Sequence, residues 1–184
     1  MLERIVSPVI SSIAAGYKGK TICRSLLSNM ALEIGALPEV RRLVCSFSNI
    51  SKYPERPMLT LHSDHPSVYL LGWREGDFTD IHDHGECEVG MYVVQGVVTE
   101  DIYASTPLDG KSRHCLLNFS RQLRQGDLAT CPKHYVHRVG NIFPEVAATL
   151  HVYGPTLADM NLYEAEGEVL RFKDHWHQTK RAQH

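Results

Sequence analysis

Apolar residues recur at helical spacing through the first fifty positions of the chain. Between residues 21 and 34 they follow four-residue steps, at Ile22, Leu26, Met30 and Ile34. Steps of this size keep side chains on one face of an α-helix, and Gly35 is a residue type that commonly follows a helix end. A similar pattern begins after Pro38, and proline is favoured in the first turn of a helix. We therefore predict a helical subdomain over residues 1–50.

Beyond residue 50 the pattern changes to short runs that are rich in β-branched and aromatic residues. The runs predicted as strands are Met58–His62, Val68–Glu75, Gly90–Tyr103, Leu116–Ser120, Asp127–Cys131, Val146–Tyr153 and Val169–Phe172. Glycine and proline turns separate them. Many short strands after a helical segment predict a mainly all-β domain, a barrel or sandwich, over residues 51–173. The polar residues 174–184 are predicted to form a frayed tail.

The composition fits a globular protein with a hydrophobic core. Hydrophobic residues make up 43% of the 184 positions, and the net charge is only −2, with no basic stripe. Nucleic acid and anionic membrane surfaces are therefore not expected partners. No apolar run approaches the roughly 20 residues that a transmembrane helix needs.

The cysteines predict free thiols in a reducing compartment. They number five, an odd count, and no two have the Cys-x-x-Cys spacing of a redox or zinc motif. The first eight residues include the acidic Glu3 and lack the apolar stretch of a secretory signal. Both features predict a cytoplasmic location.

Two segments have the residue pattern of a metal site. Residues 76–84 read Gly-x5-His-x-His, and because alternate residues on a strand share a face, His82 and His84 are expected to project together. Residues 126–141 read Gly-x5-Pro-x4-His-x3-Asn and contain His137. Read together, the two spacings resemble the paired motifs of the cupins. This resemblance implies a cupin double-stranded β-helix barrel, with the helical segment packed on it, and a metal held by the three histidines.

The number of ligands bears on the substrate. Three neutral imidazoles bind a divalent first-row metal and leave its +2 charge uncancelled, which favours an anionic ligand such as a thiolate. The cupin pattern usually adds a glutamate, but the corresponding residue here is Val89. The adjacent Glu88 would join the site only if a bulge turned it inward. We expect a three-histidine site, with a fourth ligand from Glu88 as the alternative.

A more specific resemblance rests on short elements between residues 72 and 153. They are Gly72-Trp73-Arg74-Glu75-Gly76, His82-Asp83-His84-Gly85, Gln95-Gly96, His137-Arg138-Val139-Gly140-Asn141 and Leu150-His151-Val152-Tyr153. Together they resemble the thiol dioxygenases of the cysteine dioxygenase family. This implies Fe(2+) on His82, His84 and His137. It also implies that both atoms of O2 are added to the sulfur of a small carboxylated thiol, such as L-cysteine or 3-mercaptopropionate, to give a sulfinate.

The resemblance also implies which side chains act on the substrate. The family's Ser-x-His-x-Tyr element is present as Thr149, His151 and Tyr153, whose side chains share one face of a strand. Thr149 can then hydrogen-bond His151, which orients the Tyr153 hydroxyl toward oxygen or the substrate carboxylate. Arg56 stands where the family keeps an arginine that clamps the carboxylate with a planar fork. Trp73 is expected either in the core or in the pocket wall, where it would contact the substrate.

Two features depart from the family pattern. Animal cysteine dioxygenases link a cysteine covalently to the active-site tyrosine, but the aligned residue here is Val89, so we expect an uncross-linked tyrosine. Cys87 lies two residues earlier and would need a shifted register to reach it. The acidic run Glu86-Cys87-Glu88 is expected to be a solvated turn or, alternatively, to recognise a cationic substrate group.

Other functions remain open at this point. One is a divergent oxygenase that starts from a thiol amino acid but performs different oxidative chemistry in a biosynthetic pathway. Another is a cupin isomerase, which would need no O2, or a small-molecule sensor, which would show no turnover. Three histidines also accept nickel, manganese or cobalt. The expected partners are the thiol and O2, with the chain acting as a monomer or weak homo-oligomer.

Overall fold

Three helices precede eleven strands in the part of the chain that the structure, a computed structural model, describes. That part comprises residues 2–17, 23–44, 58–62, 66–107, 112–154, 159–166 and 169–177. The helices are α1 (Leu2–Gly16), α2 (Arg24–Gly35) and α3 (Pro38–Val44). The strands are β1 (Met58–His62), β2 (Ser67–Trp73), β3 (Ile81–His82), β4 (Glu88–Gln95), β5 (Val97–Pro107), β6 (Ser112–Arg124), β7 (Leu128–Cys131), β8 (Val136–Gly140), β9 (Ala147–Gly154), β10 (Asp159–Glu166) and β11 (Val169–His177). Among these described residues, no helix has the length and apolar character needed to cross a membrane.

The strands form two sheets in which every neighbouring pair is antiparallel. The first sheet has the order β1-β2-β9-β4-β7. The second, β10-β11-β6-β5-β8-β3, closes into a barrel because β3 pairs with both β8 and β10. The mainly-β architecture with helices at its N-terminal end is the one that the sequence predicted.

Strand β9 carries apolar side chains on one face and polar side chains on the other. Successive side chains on a strand point to opposite faces. On one face lie Ala148, Leu150 and Val152, which are buried in a core shared with α1, α2 and α3. On the other face lie Thr149, His151 and Tyr153, which are also buried. Tyr153 belongs to a second core that joins residues of both sheets, so this face is directed into the barrel.

Strands β2 and β4 repeat this alternation on either side of β9. Val68 and Leu70 of β2 pack toward the helices, whereas Tyr69 and Leu71 belong to the interior core. The pairing register aligns the inward residues of the three strands, so that Tyr69 lies opposite His151. The helices therefore cover one face of a sheet whose other face lines the barrel.

The structure differs from the predicted elements where strands are short or polar. The predicted run Gly90–Tyr103 is two strands, because the chain turns at Gly96, where φ is +73°. Strands β8 and β10 were not predicted, since their residues lack a clear alternation of apolar and polar positions. The strand expected to carry both His82 and His84 is β3, but it ends at His82. All three are recruited by backbone pairing with neighbouring strands, which needs no apolar side chain.

The C-terminal boundary of the barrel also differs from the prediction. Strand β11 continues to His177, four residues into the segment that was predicted to be a frayed tail from residue 174. Its last residues pair with β10, as in Asn161 with His175 and Asp159 with His177. The polarity of this segment was misleading, because backbone hydrogen bonds hold it in the sheet.

Close packing of α2 on β4 depends on Gly90. A Cβ atom at this position would lie 2.6 Å from the backbone carbon and oxygen of Leu27, and 2.7 Å from the nitrogen of Ser28. Real Cβ atoms essentially never approach other atoms within 3.0 Å. A side chain at position 90 would therefore displace the helix from the sheet.

Gly90→Ala is expected to lower the free energy of unfolding by about 1–3 kcal/mol, because it overpacks the interface between α2 and β4. Urea unfolding followed by circular dichroism measures this change. Gly16→Ala is the control, since nothing lies within 4 Å of a Cβ built there and alanine is the better helix residue. Equal losses in the two variants, or none in Gly90→Ala, would contradict the tight contact.

Candidate metal centre

Three buried histidines converge on one point inside the barrel. His82 is the last residue of β3, His84 lies in the turn that follows, and His137 is paired directly with His82 across β3 and β8. The Nε2 atom of His84 lies 3.2 Å from that of His82 and 3.4 Å from that of His137. The structure thus brings together the three residues that the two sequence motifs singled out, and they form a group that could hold a metal ion.

Two of the three rings are held in position by a hydrogen bond at Nδ1, on the side of the ring away from the centre. The Nδ1 atom of His82 donates to the backbone oxygen of Asp80 at 2.9 Å. That of His137 donates to the Glu100 carboxylate at 2.7 Å. A carbonyl or carboxylate oxygen can only accept, so each Nδ1 carries the proton and each Nε2 presents a lone pair to the centre. The Nδ1 atom of His84 is buried without a hydrogen-bond partner among the described residues.

This arrangement fits a divalent metal. Burial, followed by the charges of His82, His137 and His151, lowers the pKa of His84 well below its ordinary value. The His84 imidazole is therefore neutral at neutral pH. Neighbouring nitrogen lone pairs repel one another unless a cation lies between them, and neutral imidazole is the common ligand of first-row metals.

Asp83 fixes the turn between the first two histidines from the outside. Its carboxylate accepts hydrogen bonds from Tyr163 Oη at 2.6 Å, from Asn161 Nδ2 at 3.1 and 3.2 Å, and from the Gly85 backbone at 3.0 Å. Burial alone would raise the pKa of Asp83, but these hydrogen bonds bring it below its ordinary value. Asp83 points away from the centre, as the alternation of side chains predicted, and it ties the turn to β10.

Glu100 is a buried residue of the site that the sequence analysis missed. Its side chain is 0% exposed and lies between His137 and Arg121, whose Nη2 atom is 2.6 Å from Glu100 Oε2. Burial alone would raise the pKa of Glu100, but its hydrogen bonds to His137 and Arg121 and their charges hold it below the ordinary value. The signal was present in the alternation of β5, where Val98, Glu100 and Ile102 occupy one buried face.

A line of hydrogen bonds connects the core to Tyr153. Trp73 Nε1 donates to Thr149 Oγ1 at 2.8 Å, and the same oxygen lies 2.8 Å from His151 Nε2. The other ring nitrogen of His151 is 3.4 Å from the Tyr153 hydroxyl. The Tyr153 ring contacts the His84 ring at a centroid distance of 5.6 Å. The structure places Thr149, His151 and Tyr153 in the predicted order and beside the metal centre.

Trp73 lies in the core rather than in the wall of a pocket. Its side chain is 0% exposed and packs in the interior cluster, and its single donor is used by Thr149. Of the two positions expected from the sequence, the structure favours the buried one. Trp73 therefore supports Thr149 from behind, and the predicted contact with the substrate is not favoured. Arg56, the other predicted substrate contact, lies outside the described residues.

The matching family is that of the cysteine dioxygenases. The family model for cysteine dioxygenase type I matches residues 56–166, a span that contains the three histidines and the Thr149–Tyr153 element. The chain belongs to the cysteine dioxygenase family. The resemblance drawn from the sequence motifs is confirmed at this level.

Curated relatives match a smaller part of the chain. Cysteine dioxygenase type 1 of Bos taurus and that of Homo sapiens are each 33% identical over 91 residues, which is 48% of this chain and 44% of the relative. The match thus spans less than half the length of these relatives. A solved structure from Klebsiella pneumoniae, an uncharacterized conserved protein with a double-stranded β-helix domain, aligns with a TM-score of 0.51 at 18% identity. It covers 65% of this chain and 87% of its own, and it supports the predicted cupin fold.

The acidic run Glu86-Cys87-Glu88, which follows the turn that carries His84, is paired with basic side chains. Glu86 is exposed and lies 3.0 Å from Lys133 Nζ and 3.3 Å from His134 Nε2. Glu88 lies 4.0 Å from Arg24 of α2. Neither metal-ligand group found among the described residues includes Glu88. These contacts favour the three-histidine site over a fourth ligand from Glu88. Of the predicted solvated turn only Glu86 is exposed, because Cys87 is buried and Glu88 begins β4.

Within this family, the residue opposite Tyr153 is a further point of difference. Val89, which the sequence resemblance aligned with the cross-linked cysteine of animal enzymes, pairs directly with Tyr153 across β4 and β9. Cys87 precedes β4, is buried, and forms no disulfide with another described cysteine. The strand register thus places an unreactive side chain next to the tyrosine.

Tyr153 is expected to stay uncross-linked after the protein has been loaded with iron and exposed to air with a thiol. Peptide mapping by mass spectrometry should return the Tyr153 peptide with its unmodified mass. A peptide that joins Tyr153 to Cys87, lighter by two hydrogen atoms than its parts, would contradict this reading of the register. A Val89→Cys variant treated in the same way serves as the positive control.

Proposed function

We propose that this protein is an iron(II)-dependent thiol dioxygenase that converts a small carboxylated thiol to its sulfinate. The observation that carries this proposal is the buried group of three imidazoles, which includes no carboxylate from the described part of the chain. Family membership supports an oxygenase, and the proposal adds the metal, the substrate class and the roles of individual residues. L-Cysteine and 3-mercaptopropionate are the substrates that we favour.

The charge of the centre supports a thiolate substrate. His82, His84 and His137 contribute no negative charge, so a divalent ion held by their Nε2 atoms keeps its full attraction for an anion. When bound there, ferrous iron supplies the redox chemistry with O2 and lowers the pKa of a coordinating thiol. The protein supplies the geometry and keeps bulk water out, because the three side chains are buried.

The hydrogen-bonded line behind Tyr153 supports its role as a donor to the substrate. An indole N–H can only donate, so Thr149 Oγ1 accepts from Trp73. In the proposed arrangement Thr149 then donates to His151 Nε2, and His151 Nδ1 donates to the Tyr153 oxygen. In this arrangement the Tyr153 hydroxyl would donate its own hydrogen toward the substrate carboxylate or toward oxygen.

The proposal keeps three expectations from the sequence, of which the first comes from the family resemblance. Arg56 would bind the substrate carboxylate through its planar fork, on the side of the substrate away from the sulfur. The protein would act in the cytoplasm, as a monomer or weak homo-oligomer. Cys23, Cys87 and Cys131 form no disulfide among the described residues, which agrees with a reducing compartment.

Iron-loaded protein is expected to take up one O2 for each molecule of L-cysteine or 3-mercaptopropionate that it consumes. The product should be heavier than the thiol by two oxygen atoms, because both atoms of O2 reach the sulfur. An oxygen electrode and product mass spectrometry measure the two quantities in the same reaction. Cysteamine, which lacks a carboxylate, is the control and should react much more slowly.

Other outcomes would separate the alternative functions. O2 uptake with a product of any other mass would replace thiol dioxygenation by different oxidative chemistry on the same substrate. No uptake with any thiol, in protein that retains one iron per chain, would overturn the oxygenase proposal in favour of an isomerase or a sensor. Equal rates with cysteamine would remove the carboxylate from the substrate requirement.

A further inference from the structure

A buried carboxylate stands directly behind one of the proposed ligands. Glu100 Oε1 accepts the Nδ1 hydrogen of His137 at 2.7 Å. Its other oxygen receives two donors of Arg121, Nε at 2.7 Å and Nη2 at 2.6 Å. The strand register brings these three residues together, because Glu100 of β5 pairs with Arg121 on β6 while the strand on the other side, β8, carries His137.

The pairing with Arg121 decides how much negative charge reaches the metal centre. A carboxylate buried beside a ligand ring, if unpaired, would oppose the positive charge of the ion on the other side of that ring. A two-donor contact with guanidinium neutralises the carboxylate while leaving Oε1 to hold the ring. Glu100 can therefore orient His137 without making the centre less attractive to an anionic substrate.

We propose that Glu100 and Arg121 are positioning residues for the metal centre, with separate tasks. Glu100 fixes the orientation of His137 and keeps its proton on Nδ1, so that Nε2 is always available as a ligand. Arg121 balances the charge of Glu100, so that the centre keeps its affinity for a thiolate. This inference rests on the proposed function, since it requires a metal on His82, His84 and His137.

Cys131 belongs to the same network as a weak donor. Its thiol lies 3.8 Å from Glu100 Oε1 and 3.8 Å from His137 Nδ1. Burial, together with the neighbouring carboxylate, raises the pKa of the Cys131 thiol well above its ordinary value, so it stays protonated. Glu100, Cys131 and His137 also form a geometrically possible metal-ligand group. The Arg121 guanidinium already occupies the carboxylate, and its positive charge opposes a second cation there.

The neighbouring residue on β5 provides a matched control. Asp101 is buried and accepts from Arg138 Nε at 2.7 Å and from the Ser120 hydroxyl. The ion pair of Asp101 with Arg138 resembles that of Glu100 with Arg121 in its nitrogen-to-oxygen distance, 2.7 Å against 2.6 Å, and in the partial exposure of the arginine. Adjacent residues of a strand point to opposite faces, and neither partner of Asp101 is a proposed ligand. Asp101→Asn thus removes a comparable ion pair without touching a histidine of the centre.

Cobalt binding tests the task of Glu100. In a titration with Co²⁺ followed by visible absorption, Glu100→Gln is expected to bind about 10–100-fold more weakly than wild type, with altered cobalt bands. Asp101→Asn should match the wild type in its affinity for cobalt and in its cobalt bands. His84→Ala should lose the site, and it identifies the cobalt bands that belong to the three histidines. Circular dichroism melting of each variant shows whether the fold is retained.

Thiol binding to the cobalt-loaded protein tests the task of Arg121. Arg121→Gln leaves Glu100 charged and unpaired, so L-cysteine should bind about tenfold more weakly, seen in the sulfur-to-cobalt charge-transfer band. Arg121→Lys retains the positive charge and should bind L-cysteine nearly as well as wild type. This pair of variants keeps the inference testable even if Glu100→Gln does not fold.

Each result has a distinct meaning. Unchanged cobalt affinity and spectrum in folded Glu100→Gln, or a second cobalt ion bound per wild-type chain, would overturn the role of Glu100. Equal thiol affinities in Arg121→Gln and Arg121→Lys would overturn that of Arg121. If the wild type binds no cobalt, or His84→Ala binds it equally well, the proposed metal centre itself fails and the inference with it.

Discussion

The mutual repulsion of three inward-facing imidazoles is the constraint around which this structure is organised. The Nε2 atom of His84 lies 3.2 Å from that of His82 and 3.4 Å from that of His137. The site is buried, so water cannot relieve the unfavourable contact. A metal ion makes the contact favourable, but the rings must still be held in position from outside. The Asp80 carbonyl holds one ring and Glu100 holds another, while Asp83 holds the turn that carries His84.

The antiparallel sheets supply these supports from strands that are distant in sequence. The short strand β3 pairs with both β8 and β10, so backbone hydrogen bonds hold the segment that carries His82 from two sides. The helices stabilise the same region indirectly, because they cover the outer face of β2, β9 and β4. The inner face of those strands is thus free to carry the line from Trp73 to Tyr153. The alternation of side chains along each strand thus places the packing residues on one face of the sheet and the residues of the candidate site on the other.

The sequence predicted those parts of the site that depend on local spacing. The alternating Thr149, His151 and Tyr153 needed only the geometry of a strand. The convergence of His82 and His84 was also predicted, although β3 ends at His82 and His84 lies in the turn that follows. Glu100 and Arg121 escaped because their meeting depends on the register between β5 and β6, which no local pattern reveals. The strand character of β8 and β10 was missed for a similar reason, since polar residues are held there by pairing partners.

X-ray absorption at the iron edge, before and after anaerobic addition of L-cysteine, tests whether the three histidines form a thiolate-binding iron site. We expect a shell of nitrogen and oxygen donors with three imidazoles in the iron-loaded protein, and one sulfur neighbour once the thiol is added. A carboxylate from the chain in the first shell, or a spectrum without sulfur at saturating thiol, would contradict the three-histidine centre as a thiolate site.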